Sequence, residues 1–174
     1  MSPRVVLIGL PGTGKSTTGR RLAKILCVPF ADSDELIESA TGRRIVDIFA
    51  ADGEPTFRAI EADAIAAALT DFGGVLALGG GAVLTQRTRD ALSLSGVEVV
   101  QLQAPLETLL ARVGDARTRP LLNADPPARL AALAAEREPI FAALATMTVQ
   151  TDQRTAGQVA ATIAARLHEK APRP

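Results

Sequence analysis

Tryptophan and tyrosine are absent from the 174 residues, and phenylalanine occurs only five times. So few flat side chains leave little on which unpaired bases can stack, and nucleic acid is not an expected partner. Charge of either sign is not in excess: 19 lysines and arginines balance 19 aspartates and glutamates, so no overall field favours nucleic acid or an anionic membrane surface. The single cysteine, Cys27, excludes an intramolecular disulfide and suits a reducing cytoplasm; at the end of a helix-forming stretch it is expected to act as a small buried hydrophobe. Long apolar runs are missing as well. The longest apolar or glycine-filled run, Val75 to Leu84, is too short to cross a bilayer as a helix, and Val5 to Leu10 is short for a secretion signal. A soluble, uncleaved, cytoplasmic protein is expected, without repeats or low-complexity segments.

What is present is an alternation. Strand-like runs at Val5 to Ile8, Pro29 to Ala31, Val75 to Leu78, Val97 to Leu102 and Met147 to Gln150 are separated by stretches of helical spacing. The clearest of these are Thr17 to Leu26, Ala59 to Leu69, Leu106 to Val113, Ala128 to Leu144 and Ala156 to Leu167, the last preceded by the capping-box pair Thr155 and Gln158. At this length the alternation predicts one α/β domain: a five-stranded parallel sheet with helices on both faces, binding ligands at the carboxyl ends of its strands. Pro139 falls inside a helical pattern and should kink or restart it. The polar, proline-rich stretch from Gly114 to Pro127 is long for a loop inside a compact domain and is expected to act as a lid over about 114–126.

Directly after the first strand comes Gly-Leu-Pro-Gly-Thr-Gly-Lys-Ser-Thr, residues 9 to 17. Gly9, Gly14, Lys15 and Ser16 complete the pattern of a phosphate-binding loop in its required strand-to-helix setting. Glycines let the backbone aim successive N–H groups inward, and the helix start adds its dipole. Lys15 then reaches the β- and γ-phosphates of a nucleotide while Ser16 offers its hydroxyl to Mg²⁺.

Further residues can serve the bound phosphate. Asp32 and Asp34 end the second strand at alternate positions, so both face the ligand side; one carboxylate near a metal and one near an attacking hydroxyl would divide the work of phosphoryl transfer. The alternative reading is that Asp34 caps a helix beginning at Glu35, a role that can coexist with the first. Arg58 and Glu61 stand three apart on a helix, either as a surface ion pair or as an arginine held ready to grip a carboxylate. Gly79, Gly80 and Gly81 are more glycine than a turn requires and expose bare backbone N–H groups. Arg112, Arg117 and Arg119 flank or occupy the lid, Arg137 precedes Pro139, and His168 is remote from every motif. Asp71-Phe72-Gly73 copies a protein-kinase tripeptide, but no kinase glycine loop or H-R-D stretch accompanies it, and no Asn-Lys-x-Asp stretch selects guanine.

The ordered series Gly9 to Thr17, Asp32-x-Asp34, Gly53-Glu54-x-x-Phe57-Arg58-x-x-Glu61, Gly79-Gly80-Gly81, Arg119-Pro120-Leu121-Leu122 and Arg137-x-Pro139 resembles the shikimate kinase family across nearly the whole chain. The resemblance implies ATP-dependent phosphorylation of the 3-hydroxyl of shikimate, in a three-layer P-loop kinase fold of strand order 2-3-1-4-5 like that of the nucleoside monophosphate kinases. It implies a substrate-binding helical region over about 32–62. Asp34 would orient the substrate hydroxyls and accept a proton, Arg58 and Arg137 would hold the carboxylate, and Gly79, Gly80 and Gly81 would present backbone to the substrate. Gly12, Thr13, Gly14, Lys15, Ser16 and Thr17 would bind ATP, with Ser16 and Asp32 serving Mg²⁺. Lys15 and Arg119 would stabilise the transferring group, and Arg112 and Arg154 would flank adenine. A departure is Phe141, where the family commonly carries tyrosine; a packing change rather than lost activity is expected. The alternatives are another small-molecule kinase, for example of the gluconate type, or an ATP-binding switch without catalysis. A monomer is the default for so small a chain.

Overall fold

The computed structural model describes residues 1–113 and 125–170. The expected lid falls almost wholly outside these residues, and Arg117 and Arg119 with it.

Five parallel strands form one sheet: β1 (Val5–Ile8), β2 (Phe30–Asp32), β3 (Val75–Ala77), β4 (Val99–Gln103) and β5 (Met147–Gln150), in the order β2-β3-β1-β4-β5. Around them lie α1 (Lys15–Leu26), α2 (Ser33–Thr41), α3 (Ile45–Asp71), α4 (Gln86–Ser95), α5 (Leu106–Val113), α6 (Pro126–Leu144) and α7 (Ala156–Lys170). The period of two along each strand divides the apolar side chains between two faces. Val6, Ile8, Leu76, Leu78 and Val99 meet Ile65 and Leu69 of α3, Leu92 of α4, Leu109 of α5, and Leu130, Leu133 and Phe141 of α6. Val5, Leu7, Val75, Ala77, Val100 and Leu102 meet Leu22 of α1 and Val159, Ala160 and Ile163 of α7. Three layers result, as expected. A small separate core of Ile37, Ile48 and Phe57 holds α2 against the first half of α3.

Several of the sequence expectations need correction. α4 was not anticipated, because Gln-Arg-Thr-Arg-Asp-Ala-Leu-Ser-Leu-Ser buries only Thr88 and Leu92 and so carries little apolar periodicity. α3 starts at Ile45, well before Ala59, and its pattern is broken by Gly53, where φ is 80° and the helix kinks. Pro139 does not restart α6, which runs through it from Pro126 to Leu144. Cys27 is exposed rather than buried: it ends α1 in the left-handed conformation, φ 53°, with its N–H turned back to the last turn. The Thr155 and Gln158 box does form, each side chain accepting from the other's backbone N–H at 3.2 and 2.8 Å.

Candidate active site

The site begins where β1 runs out. Gly14 stands at the start of α1 with φ 85°, a left-handed position that a side chain would strain, and no side chain caps the helix there. The first N–H groups of α1 are therefore left without a side-chain cap, and an anion in the loop would complete their bonding. Lys15 folds back over the loop and donates from Nζ to the carbonyls of Gly9 at 2.8 Å and Leu10 at 3.1 Å. Thr13 is buried and donates its hydroxyl to the Leu10 carbonyl at 2.8 Å, so it braces the loop from within.

Asp32 joins this loop to the next element. Its Oδ2 accepts from the Ser16 hydroxyl at 2.6 Å, and its Oδ1 accepts from the Asp34 N–H at 3.1 Å. The cap of α2 is thus Asp32, and the helix begins at Ser33; the reading of Asp34 as a cap before Glu35 is corrected. That leaves the Asp34 carboxylate free of capping duty. A cleft of about 490 Å³ opens above, lined by Lys15, Ser16, Asp32, Asp34, Gly80 and Arg112 among others. Asp34 is exposed at this cleft, yet its carboxyl group packs closely against Gly79. Burial of that group, and then the charge of Asp32, raise it above the usual aspartate value against the opposing pull of Lys15 and Arg58.

Gly79, Gly80 and Gly81 form the far wall, and each faces a different functional side chain. A Cβ on Gly79 would lie 2.8 Å from Asp34 Oδ1, one on Gly80 would lie 3.6 Å from Arg137 Nη1, and one on Gly81 would lie 2.5 Å from Arg58 Nη2. At Gly79 and Gly81 a side chain would collide with these charged groups, whereas at Gly80 the tightest neighbour is Pro11 Cδ at 3.3 Å and Arg137 is in ordinary contact. Gly79 in fact gives its N–H to the fold, donating to Ser33 Oγ at 2.9 Å. Ser33, fully buried, was not singled out in the sequence, since a strand reading of residues 32 to 34 turns its side chain away from the two aspartates.

Arg58 is no surface ion pair. It donates to Glu61 Oε2 at 2.6 Å, and Glu61 is all but sealed, its side chain 2% exposed. Burial raises the Glu61 carboxyl, and Arg58 pulls it back. Arg137, on α6, is equally enclosed at 5% exposure. Its Nε has no hydrogen-bond partner among the described residues, and Glu136 approaches it only to 3.5 Å with its own carboxylate largely in water. Burial lowers the Arg137 guanidinium from its ordinary value; Glu136 offsets this and the nearby Arg58 adds to it. Two guanidinium groups that feel each other, with one neutralised by Glu61, leave positive charge that an anionic ligand would satisfy.

On the other side of the phosphate loop, Gly12, Thr17, Arg112 and Arg154 line a smaller cavity of about 220 Å³. Arg112 donates to Thr151 Oγ1 at 2.8 Å and to the Thr151 carbonyl at 2.7 Å, with a longer reach of 3.5 Å to the Gly12 carbonyl. Arg154 is tied to the carbonyls of Gln150 and Gln158 and to the Thr162 hydroxyl. Among the described residues, no cluster of three or more acidic, histidine or cysteine side chains is built to hold a metal alone. The Ser16 hydroxyl and Asp32 carboxylate at the cleft suit Mg²⁺ bound mostly by phosphate oxygens and water.

Comparison with known proteins gives a consistent picture. The family model for shikimate kinase matches residues 11–168. A shikimate kinase of Mycobacterium tuberculosis is 49% identical over 173 residues, 99% of this chain and 97% of the relative. Another, of Salinispora tropica, is 49% identical over 167 residues, covering 96% of this chain and 99% of the relative. The solved shikimate kinase from Acinetobacter baumannii in complex with shikimate is similar with a TM-score of 0.90 at 35% identity, over 99% of this chain and 96% of that one.

Proposed function

The chain belongs to the shikimate kinase family, and on that premise we propose that it transfers the γ-phosphoryl group of ATP to the 3-hydroxyl of shikimate, giving shikimate 3-phosphate and ADP. The observation that carries the reading is the far wall of the cleft. Asp34, Arg137 and Arg58 face three successive glycines, opposite the phosphate loop. A polyol acid needs a cationic grip for its carboxylate and an acceptor for a hydroxyl proton, and this wall supplies both.

Arg58 and Arg137 hold the carboxylate, with Gly79, Gly80 and Gly81 close beneath the bound ring. Asp34 orients the hydroxyl and takes its proton as the oxygen attacks the γ-phosphorus; the bond from that phosphorus to the β–γ bridging oxygen breaks, and ADP leaves. Its raised proton affinity makes it a better base than an ordinary aspartate. Gly12, Thr13, Gly14 and Thr17 shape the phosphate cradle, and Lys15 stabilises the charge on the moving group. Arg119 joins it from the lid. Arg112 and Arg154 flank adenine. Ser16 and Asp32 would hold Mg²⁺, which would neutralise charge on the nucleotide's phosphates. We place all of this in one domain acting as a cytoplasmic monomer, with residues 32–62 gripping the acceptor and about 114–126 closing over the nucleotide.

The test is release of ADP from Mg·ATP in a coupled assay with shikimate, quinate or gluconate as acceptor. Strong stimulation by shikimate is expected. A larger response to gluconate would keep the kinase and overturn its substrate; tight ATP binding with no response to any acceptor would favour a switch.

A further inference from the structure

Arg137 sits on a helix that apolar packing alone holds loosely in rotation. Leu130, Leu133 and Phe141 bury the same face of α6 as Arg137, and such contacts resist separation more than they fix an angle about the helix axis. Pro139 weakens the helix at this point, because it has no N–H to return to the carbonyl of Ala135. One feature of the neighbouring sheet is directional. Gln101 and Gln103, alternate residues of β4, both donate from Nε2 to the same oxygen of Glu138, at 2.6 and 3.3 Å. Gln101 is fully buried, an unusual place for an amide in the middle of a parallel sheet, and Gln103 is itself steadied by Gln150 of β5 at 2.8 Å.

We infer that Glu138 is a positioning residue: clamped by Gln101 and Gln103, it sets the rotation of α6 so that the adjacent Arg137 reaches the carboxylate of the acceptor beside Gly80. The clamp is charge-assisted, which makes it stronger and more directional than an ordinary amide pair. It touches neither substrate. Its effect is therefore confined to the acceptor side: a small rotation at residue 138 displaces the long Arg137 side chain at its tip, where misplacement is costly to binding. The inference rests on the reading of Arg137 as a carboxylate holder.

The experiment compares Glu138→Ala, Glu138→Gln and Arg137→Ala in the full chain, with KM measured separately for acceptor and ATP. Glu138→Ala should raise the acceptor KM by about tenfold and leave that for ATP within about twofold. Glu138→Gln, which still accepts from both glutamines, should recover most of the loss. An acceptor KM unchanged in Glu138→Ala, or an ATP KM rising in step with it, would overturn the positioning role. Should Glu138→Ala not fold, Gln101→Met removes the shorter bond while leaving Glu138 in place, and the same selective rise in acceptor KM is required. Arg137→Ala separates the two levels: if it leaves acceptor KM unchanged, the carboxylate reading fails; if it raises KM while the Glu138 variants do not, only the positioning role fails.

Discussion

The guanidinium of Arg58 occupies the space that a side chain at residue 81 would need, with Nη2 2.5 Å and Nη1 2.8 Å from the place of a Cβ. Glycine at 81 and arginine at 58 are thus one structural unit. Arg58 cannot withdraw freely, because Glu61 and Glu54 hold it from the other side.

Gly81→Ala should accordingly move Arg58 and weaken acceptor binding while leaving the nucleotide loop alone. An acceptor KM raised by about tenfold or more, with the Kd for ATP within about twofold, is the expected outcome in steady-state kinetics and titration. An equal loss for both ligands would place Gly81 in general folding instead.

Asp34→Asn should abolish transfer, leave ATP affinity nearly intact and stabilise the fold. The sign follows from the raised proton affinity of Asp34. Ionising a group whose folded value lies above its ordinary value of 3.8 costs stability; the cost is absent below the ordinary value and complete above the folded one. The Tm of the variant should exceed that of the parent at neutral pH, with the gap closing on acidification. In the parent, kcat/KM should fall with acid around a value above 3.8. A variant melting below the parent at neutral pH would contradict the crowding of this carboxylate.

Arg112→Ala removes the bonds to Thr151 and Gly12 on the nucleotide side. The ATP KM should rise by about tenfold with the acceptor KM unchanged. Selective loss of acceptor affinity would move Arg112 out of the nucleotide site.

Phe141 is 1% exposed within the core between α6 and the sheet. Phe141→Tyr should therefore act on packing, destabilising by about 1–3 kcal/mol where the new hydroxyl finds no partner, and leaving kcat/KM within about tenfold. Denaturant unfolding and kinetics on the same sample check both halves. A rise in kcat/KM well beyond tenfold would show that the hydroxyl reaches the substrate side.

Local chemistry was legible in the sequence where it is local in space. The run of Val5 to Ile8 is a buried strand because all four residues are apolar, and the phosphate loop announces itself because its glycines, lysine and serine act on one ligand over nine residues. β5 was equally plain. α4 was hidden by its polar surface, and the first half of α3 by the glycine at which it breaks. The meeting of Arg58 with Gly81, of Ser33 with Gly79, and of Glu138 with β4 depends on contacts across 23, 46 and 37 positions respectively, and nothing in the nearby residues signals them. Cys27 misled because hydrophobicity says nothing of a left-handed helix end.

The small core of Ile37, Ile48 and Phe57 has a consequence of its own. It is detached from the two cores that flank the sheet, and only partly buried Ile45, Phe49, Ile60 and Ala64 extend it. With so little apolar surface beneath them, α2 and the first half of α3 should open at lower cost than the central strands, and their amides should trade hydrogen for deuterium well before those of β1. Such an exchange pattern would make the proposed acceptor floor a foldon of its own, breathing while the strands beneath the phosphate loop stay shut.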